Sequence, residues 1–454
     1  MIGNDLTKGN VTKTLLRFTV PFMVANILHT LYSIVDMFIV GRFADAAQLS
    51  AVSTSSVIML TVNLLLTGFG TGGTVIVGQK VGMNDEESLR KNISTIFSVL
   101  PLLAVVTAIL CLIFRHTLLR LVNTPAECYA GAEAYLRICL YGLVFTGMFC
   151  AISAVLRGQG DSKGPTIFIA ISCCCNIVGD TLCVGLLGMG AAGAALATTV
   201  SQGISVVLGY FYLRKHHFPF DFRPRSFRIH KTELRILLRV AIPTALQEVM
   251  SSITFVFLEA IINERGYIAS AAAGVADRIF TVSFVPSLAF AAAIAAMVAQ
   301  NSGAGLQKRA RKCMVIGTAF SFGIALLIFA VMALNPEVLF GIFSDDAEVV
   351  RMGVEYMFFY KFDALLCALI FCLNGYINGI GHTRYTLVNN LVSSFAVRLP
   401  AVWIISRMAG TTLYHIGIGL PLASLVQVLI CIAFFLFSKS ERALRSRPVT
   451  EGDT

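Results

Sequence analysis

Twelve times along this chain an apolar run of roughly 20 residues or more recurs, near 15–39, 51–77, 93–114, 134–156, 165–187, 191–213, 236–262, 269–299, 314–334, 353–378, 385–405 and 414–437. About 20 apolar residues in a helix, rising 1.5 Å each, match the roughly 30 Å hydrocarbon core of a bilayer. Only 13% of the 454 residues are charged and 56% are hydrophobic. Soluble domains carry about 25% charged residues. The expectation is an all-α polytopic membrane protein with twelve transmembrane helices. The first run is too long for the 7–15-residue core of a secretory signal and has no small-residue cleavage site, so it is expected to remain as a helix.

Charge then orients the chain. Of 35 Lys and Arg, 23 fall in the segments on one side, 6 in the loops on the other, and 6 within or at the edges of helices. By the positive-inside rule the Lys/Arg-rich side is cytoplasmic and holds both termini. The same asymmetry explains the net charge of +10 and the basic segment RKHHFPFDFRPRSFRIHKTELR at 214–235, so no nucleic-acid partner is expected. The twelve Cys include no C-x-x-C pair and sit mostly in apolar runs, where Cys packs as a small hydrophobe. There is no G-x-x-x-x-G-K-[ST] phosphate loop and no H-E-x-x-H metal motif. Neither an enzyme nor a cofactor is expected.

The chain also matches itself. A shift of 221 residues aligns VGQKVGMNDEESLRK (77–91) with VAQNSGAGLQKRARK (298–312), and LRGQGDSK (156–163) with INGIGHTR (377–384). LLRFTVP (15–21) meets LLRVAIP (237–243) at 222. Polar and glycine positions in loops keep this offset, which points to duplication. Six helices per repeat return the chain to the same side, so the repeats are parallel, as in some secondary transporters. The expected organisation is two pseudo-symmetric six-helix lobes, 1–213 and 236–437, a basic cytoplasmic linker 214–235, and a cytoplasmic tail 438–454. Pro101, Pro286 and the run GFGTGG (68–73) fall within spans, where they serve either bending and sliding or ordinary close packing.

SCCCNIVGD (172–180) places a carboxylate in an otherwise apolar span. An ionised Asp at a helix centre costs about 2.5–3.5 kcal/mol on insertion scales, so Asp180 needs a partner, a watery cavity or a proton. Asn176 and Asp180, four residues apart, lie one above the other on one helix face. That face could coordinate a cation, share a proton, or make a structural bond between helices. Glu248, Glu259 and Asp363 are candidates for a substrate or secondary coupling role, set against local ion pairs or boundary positions.

Over nearly its whole length the chain resembles the MATE family, the multidrug and toxic compound extrusion transporters. The resemblance is carried by the twelve-helix repeat, the Val20–Asp36 stretch of the first span, the VGQKVG and VAQNSGAG loops, and LRGQGDSK. It implies a V-shaped pair of lobes in a bacterial cytoplasmic (inner) membrane, acting as a monomer. Such a protein exports amphipathic, often cationic compounds in exchange for H+ or Na+. Similarity to the DinF-like branch implies that Asp36, Asn176 and Asp180 bind the coupling cation, with Thr198 or Thr199 from the sixth span. The Asn usual in that branch's fourth helix is missing from 134–156, which leaves hydroxyls such as Thr146 and Ser153. The acidic spacing of another branch does not match Glu248, Glu259 and Asp363. The alternative function is export of lipid-linked saccharides or another lipid-like substrate.

The orientation is directly testable. In a background without accessible cysteines, Ser226→Cys should resist a membrane-impermeant maleimide added outside intact cells and react once the cells are opened. Ready labelling in intact cells would invert the topology.

Overall fold

A computed structural model describes residues 3–437 apart from 217, 219, 221 and 409, so the expected tail at 438–454 lies outside the described residues. Among the described residues, twelve helices are long and apolar enough to cross a membrane. They are α1 Val11–Phe43, α2 Ala46–Gly82, α3 Glu86–Ile113, α4 Ala126–Gly158, α5 Lys163–Leu186 and α6 Gly190–Lys215, then α7 Lys231–Asn263, α8 Tyr267–Gly303, α9 Gln307–Leu334, α10 Ala347–Gly379, α11 Thr383–Arg407 and α12 Leu413–Phe437. The chain is a multi-pass membrane protein, and no strand occurs among the described residues. Several helices outrun the bilayer. At 37 residues α2 and α8 each extend about 55 Å, so their ends stand in the polar interface or beyond.

The helix ends are written in the sequence. Asp45 accepts the Gln48 N–H at 2.7 Å before α2, Asp85 accepts the Ser88 N–H at 3.0 Å before α3, and Asp346 accepts the Glu348 N–H at 2.8 Å before α10. Each carboxylate satisfies a backbone donor the first helical turn leaves open. Large apolar side chains such as Leu60, Ile109, Phe211 and Leu327 are more than half exposed in the isolated chain. A bilayer does not penalise such exposure, so burial no longer tells core from surface as it does in water.

The chain divides into two compact units, one running to Val249 and the other from Met250, with Asn10–Leu15 joining the second. In the first, α4 packs on α2, α3 and α6, and α5 packs on α6. In the second, α10 packs on α8, α9 and α12. These neighbour sets superpose when six is added to each helix number, as a parallel duplication requires.

The helices run unbroken through Pro101, Pro286 and GFGTGG. The glycines serve close approach. A Cβ on Gly68 would lie 2.4 Å from Ala245 Cα, and one on Gly72 would lie 2.7 Å from Ala241 Cα, so α2 and the first half of α7 touch backbone to backbone. Gly70, on another face, would meet its nearest neighbour at an ordinary 3.7 Å. Gly68→Ala should therefore lower the thermal stability of the detergent-purified protein, by about 1–3 kcal/mol if the cost is that of overpacking. Gly70→Ala should leave it near wild type. Equal melting curves for the two variants would mean this helix contact is not close-packed.

Candidate functional site

Three helices of the first unit build a polar cluster in an apolar surround. Helix α5 is α-helical from Lys163 to Asp180 and continues as a π turn over Thr181–Leu186. Asn176 and Asp180 stay on one face because the π turn begins only after Asp180. Gly179 lets this face reach α6, since a Cβ there would stand 2.9 Å from the Ala197 methyl. Thr198, the next residue, is thereby carried against Asn176. Helix α1 is tied to α5 by the Thr166 hydroxyl, which donates to the Pro21 carbonyl at 2.9 Å, and by the Cys173 thiol, 3.7 Å from the Leu28 carbonyl.

At the centre, the carboxyl groups of Asp36 and Asp180 lie close enough to interact directly. Asp180 has no exposed surface, and Asp36 is 7% exposed. Two carboxyl groups can hold such a contact only with a proton between them or a cation in its place. The Asn176 amide has to turn its nitrogen to the carboxylate, which only accepts. So oriented, it donates to Asp180 Oδ2 at 2.9 Å while its oxygen accepts the Thr198 N–H at 3.3 Å. One oxygen of each Asp, Oδ1, has no protein partner among the described residues. An acceptor pair with two spare oxygens, an adjacent hydroxyl and little water suits a small monovalent cation or a proton better than a larger ligand.

The structure separates the two threonines. The Thr198 hydroxyl lies 3.2 Å from that of Tyr32 on α1, so it joins the cluster. The Thr199 hydroxyl turns to the Ile138 carbonyl of α4 at 3.4 Å, and its side chain packs where a Cβ on Gly142 would otherwise sit. Tyr32, which sequence reasoning missed, is the second contribution of α1. Its place four residues before Asp36, one helical turn away on the same face, was the available signal.

The other acidic candidates are not gathered there. Glu248 is half-buried in the part of α7 that belongs to the first unit, whereas Glu259 is exposed in the part belonging to the second. Asp363 on α10 is 2% exposed, with the Cys367 thiol 3.6 Å from its Oδ2. Arg398, 7% exposed, lies within electrostatic reach of Asp363 and sits 5.1 Å over the Phe255 ring. Nearby, the Tyr360 hydroxyl donates to Asp277 at 3.4 Å. Among the described residues no three His, Cys, Asp or Glu side chains are grouped to hold a metal ion.

Comparison with known proteins returns the MatE family, whose profile matches residues 21–182 and again 243–404, two stretches offset by 222 residues. "Probable multidrug resistance protein YpnP" of Bacillus subtilis (strain 168) is 30% identical over 92% of this chain and 94% of its own length. "Multidrug export protein MepA" of Staphylococcus aureus (strain MSSA476) is 21% identical, over 93% of this chain and 94% of its own. Among solved structures, the outward-facing conformation of a multidrug resistance MATE transporter of the MOP superfamily superposes with a TM-score of 0.89. It has 22% identity and covers 98% of this chain and 99% of that one, a likeness of fold.

If Asn176 bridges Asp180 to α6, the two side chains are energetically coupled. A double-mutant cycle over Asn176→Ala and Asp180→Ala, read by unfolding of the purified protein, should return a coupling of about 0.6 kcal/mol and no more than about 1.7, the mean and the maximum for hydrogen bonds between membrane helices. A coupling near zero would remove the bridge.

Proposed function

The chain belongs to the MATE family of transporters, and we propose that it exports amphipathic, often cationic compounds from a bacterial cell by exchange for protons or sodium ions. The observation that carries this reading is the contact of Asp36 with Asp180. It joins two separate helices through one exchangeable cation, so binding and release of that cation alters how α1 and α5 hold together. The Asn176 bridge and the Tyr32–Thr198 hydroxyl pair support the same reading, since they fix the carboxylate face and offer neutral oxygens beside it. Thr198 is assigned to this site and Thr199 to packing against α4. Six-helix lobes at 1–213 and 236–437, joined by a cytoplasmic linker at 214–235 in the cytoplasmic membrane, complete the proposal.

The driving force sets bounds. One proton crossing a gradient of one pH unit releases about 1.4 kcal/mol, with about 2.3 more for each 100 mV. One proton exchanged for one neutral compound thus sustains roughly 500-fold accumulation. For a compound carrying one positive charge the voltage contribution cancels, leaving tenfold per pH unit.

A second reading, export of a lipid-linked saccharide, draws on one observation. The buried guanidinium of Arg398 beside Phe255 would suit an anionic headgroup, with Asp363 then acting as its counter-charge.

Purified protein in liposomes should move a fluorescent cationic dye when a pH or a sodium gradient is imposed separately, without nucleotide. Asp180→Asn keeps size and hydrogen bonding but loses the exchangeable charge, so it should abolish gradient-driven movement at equal density of folded protein. Thr198→Val should slow transport more than Thr199→Val. Asp36→Asn should alter the pH profile of any remaining activity, because the two carboxyls titrate as a pair. Wild-type rates and an unchanged pH profile in Asp180→Asn would reduce the cluster to a structural bond.

A further inference from the structure

The segment that follows α6 folds back over the start of α3. Ser94 Oγ lies 2.6 Å from the Ser226 carbonyl and 2.8 Å from that of Arg228, and it accepts the Arg228 N–H at 2.9 Å. On the next residue, Thr95 Oγ1 accepts the His230 N–H at 3.3 Å. Aromatic packing completes the strap, with the Phe220 and Phe218 rings 5.2 and 6.3 Å from that of Phe97. Between strap and helix lies an open pocket of about 530 Å³. Phe218 and Phe220 line it together with Arg90, Lys91, Arg225, Arg228 and His230.

The charges around the pocket are unequal. Glu87 holds Lys91 at 2.5 Å, and Glu233 also acts on it. Arg90, Arg225 and Arg228 have no ion pair among the described residues. Arg90, Arg225 and Arg228 thus line one space with no counter-charge paired to them among the described residues, on a backbone held by specific hydrogen bonds. Guanidinium forks match phosphate oxygens two at a time. The site is also where α3 leaves its apolar stretch, at the end that the Lys/Arg distribution predicts to be cytoplasmic, and there anionic headgroups concentrate.

We propose that this pocket binds a phosphate-bearing anion, with the headgroup of an anionic phospholipid as its occupant. The guanidinium groups hold the phosphate while Phe218 and Phe220 lie against the glycerol and the first methylenes. Such a lipid pins the segment after α6 to α3 and makes the fit of this strap depend on membrane composition.

The full-length protein in neutral detergent can be titrated with short-chain phosphatidic acid, with phosphatidylcholine of equal chain length, and with inorganic phosphate, binding being read by native mass spectrometry and thermal shift. Phosphatidic acid should bind and phosphatidylcholine should not. Arg90→Gln/Arg228→Gln should weaken phosphatidic acid at least tenfold, whereas Arg90→Lys/Arg228→Lys, which keeps the charge and loses the fork, should weaken it less. If the double Gln variant does not fold, Arg225→Gln replaces it, with a weakening of several fold expected. Inorganic phosphate binding as tightly as the lipid, with the same loss in the variant, would keep the anion site and make its source soluble. Wild-type affinity for phosphatidic acid in the folded Gln variant, or no binding to the wild type, would overturn the proposal. No gradient or exported compound enters the measurement, so its outcome is independent of the coupling site.

Discussion

Asp180 has no exposed surface, and its carboxyl lies within direct interaction of that of Asp36 on another helix. In hydrocarbon neither can stand as a bare charge, because an unpaired carboxylate costs more there than any neighbouring hydrogen bond returns. What surrounds the pair follows from that constraint. Asn176 supplies a donor to one oxygen, Gly179 brings α6 close enough for Thr198 to take part, and Thr166 and Cys173 hold α1 alongside. On the proposed reading, a cluster assembled this way holds together with one small cation or proton and loosens without it. That is a condition an ion-coupled carrier can use and a static structural bond does not need.

Much of this could be read before any coordinates, for physical reasons that differ from residue to residue. The spans were legible because hydrocarbon thickness sets a length that one chain segment must meet alone. Asn176 and Asp180 were legible as one face because their spacing is a property of the helix itself. The choice between Thr198 and Thr199 was not, since successive residues point about 100° apart and only the rotation of α6 decides which meets α5. That rotation depends on Gly179 and Gly142, on two other helices. Tyr32 escaped notice because its hydroxyl gains meaning only once α6 lies beside α1. The π turn in α11, Val392–Arg398, has a local sign in Pro400, which lacks the N–H its own turn would use. The π turn after Asp180 has no such residue within it.

Duplication produced matching scaffolds with unlike chemistry. Helix α5 brings Asn176 and Asp180 into its unit, while the corresponding α11 brings Arg398 into the other, near Asp363. The neighbour sets are shared because they rest on small residues and helix packing, which tolerate substitution if volume is kept. Polar groups in a membrane interior are too costly to persist in both halves without a use.

The π turn over Thr181–Leu186 divides α5 into segments of different helical phase. Past it the Leu187 N–H keeps the five-residue spacing, bonded to the Leu182 carbonyl at 2.9 Å, and the Met189 N–H spans six, bonded to that of Cys183 at 2.9 Å, where Gly188 and Gly190 turn the chain with positive φ. A turn that holds one residue more than an α turn absorbs rotation that would otherwise pass along the rod. The angular setting of the Asn176–Asp180 face is therefore independent of how the far end of α5 is oriented. A change of one residue in the length of the connection to α6 can be taken up within that turn while both side chains keep their aim.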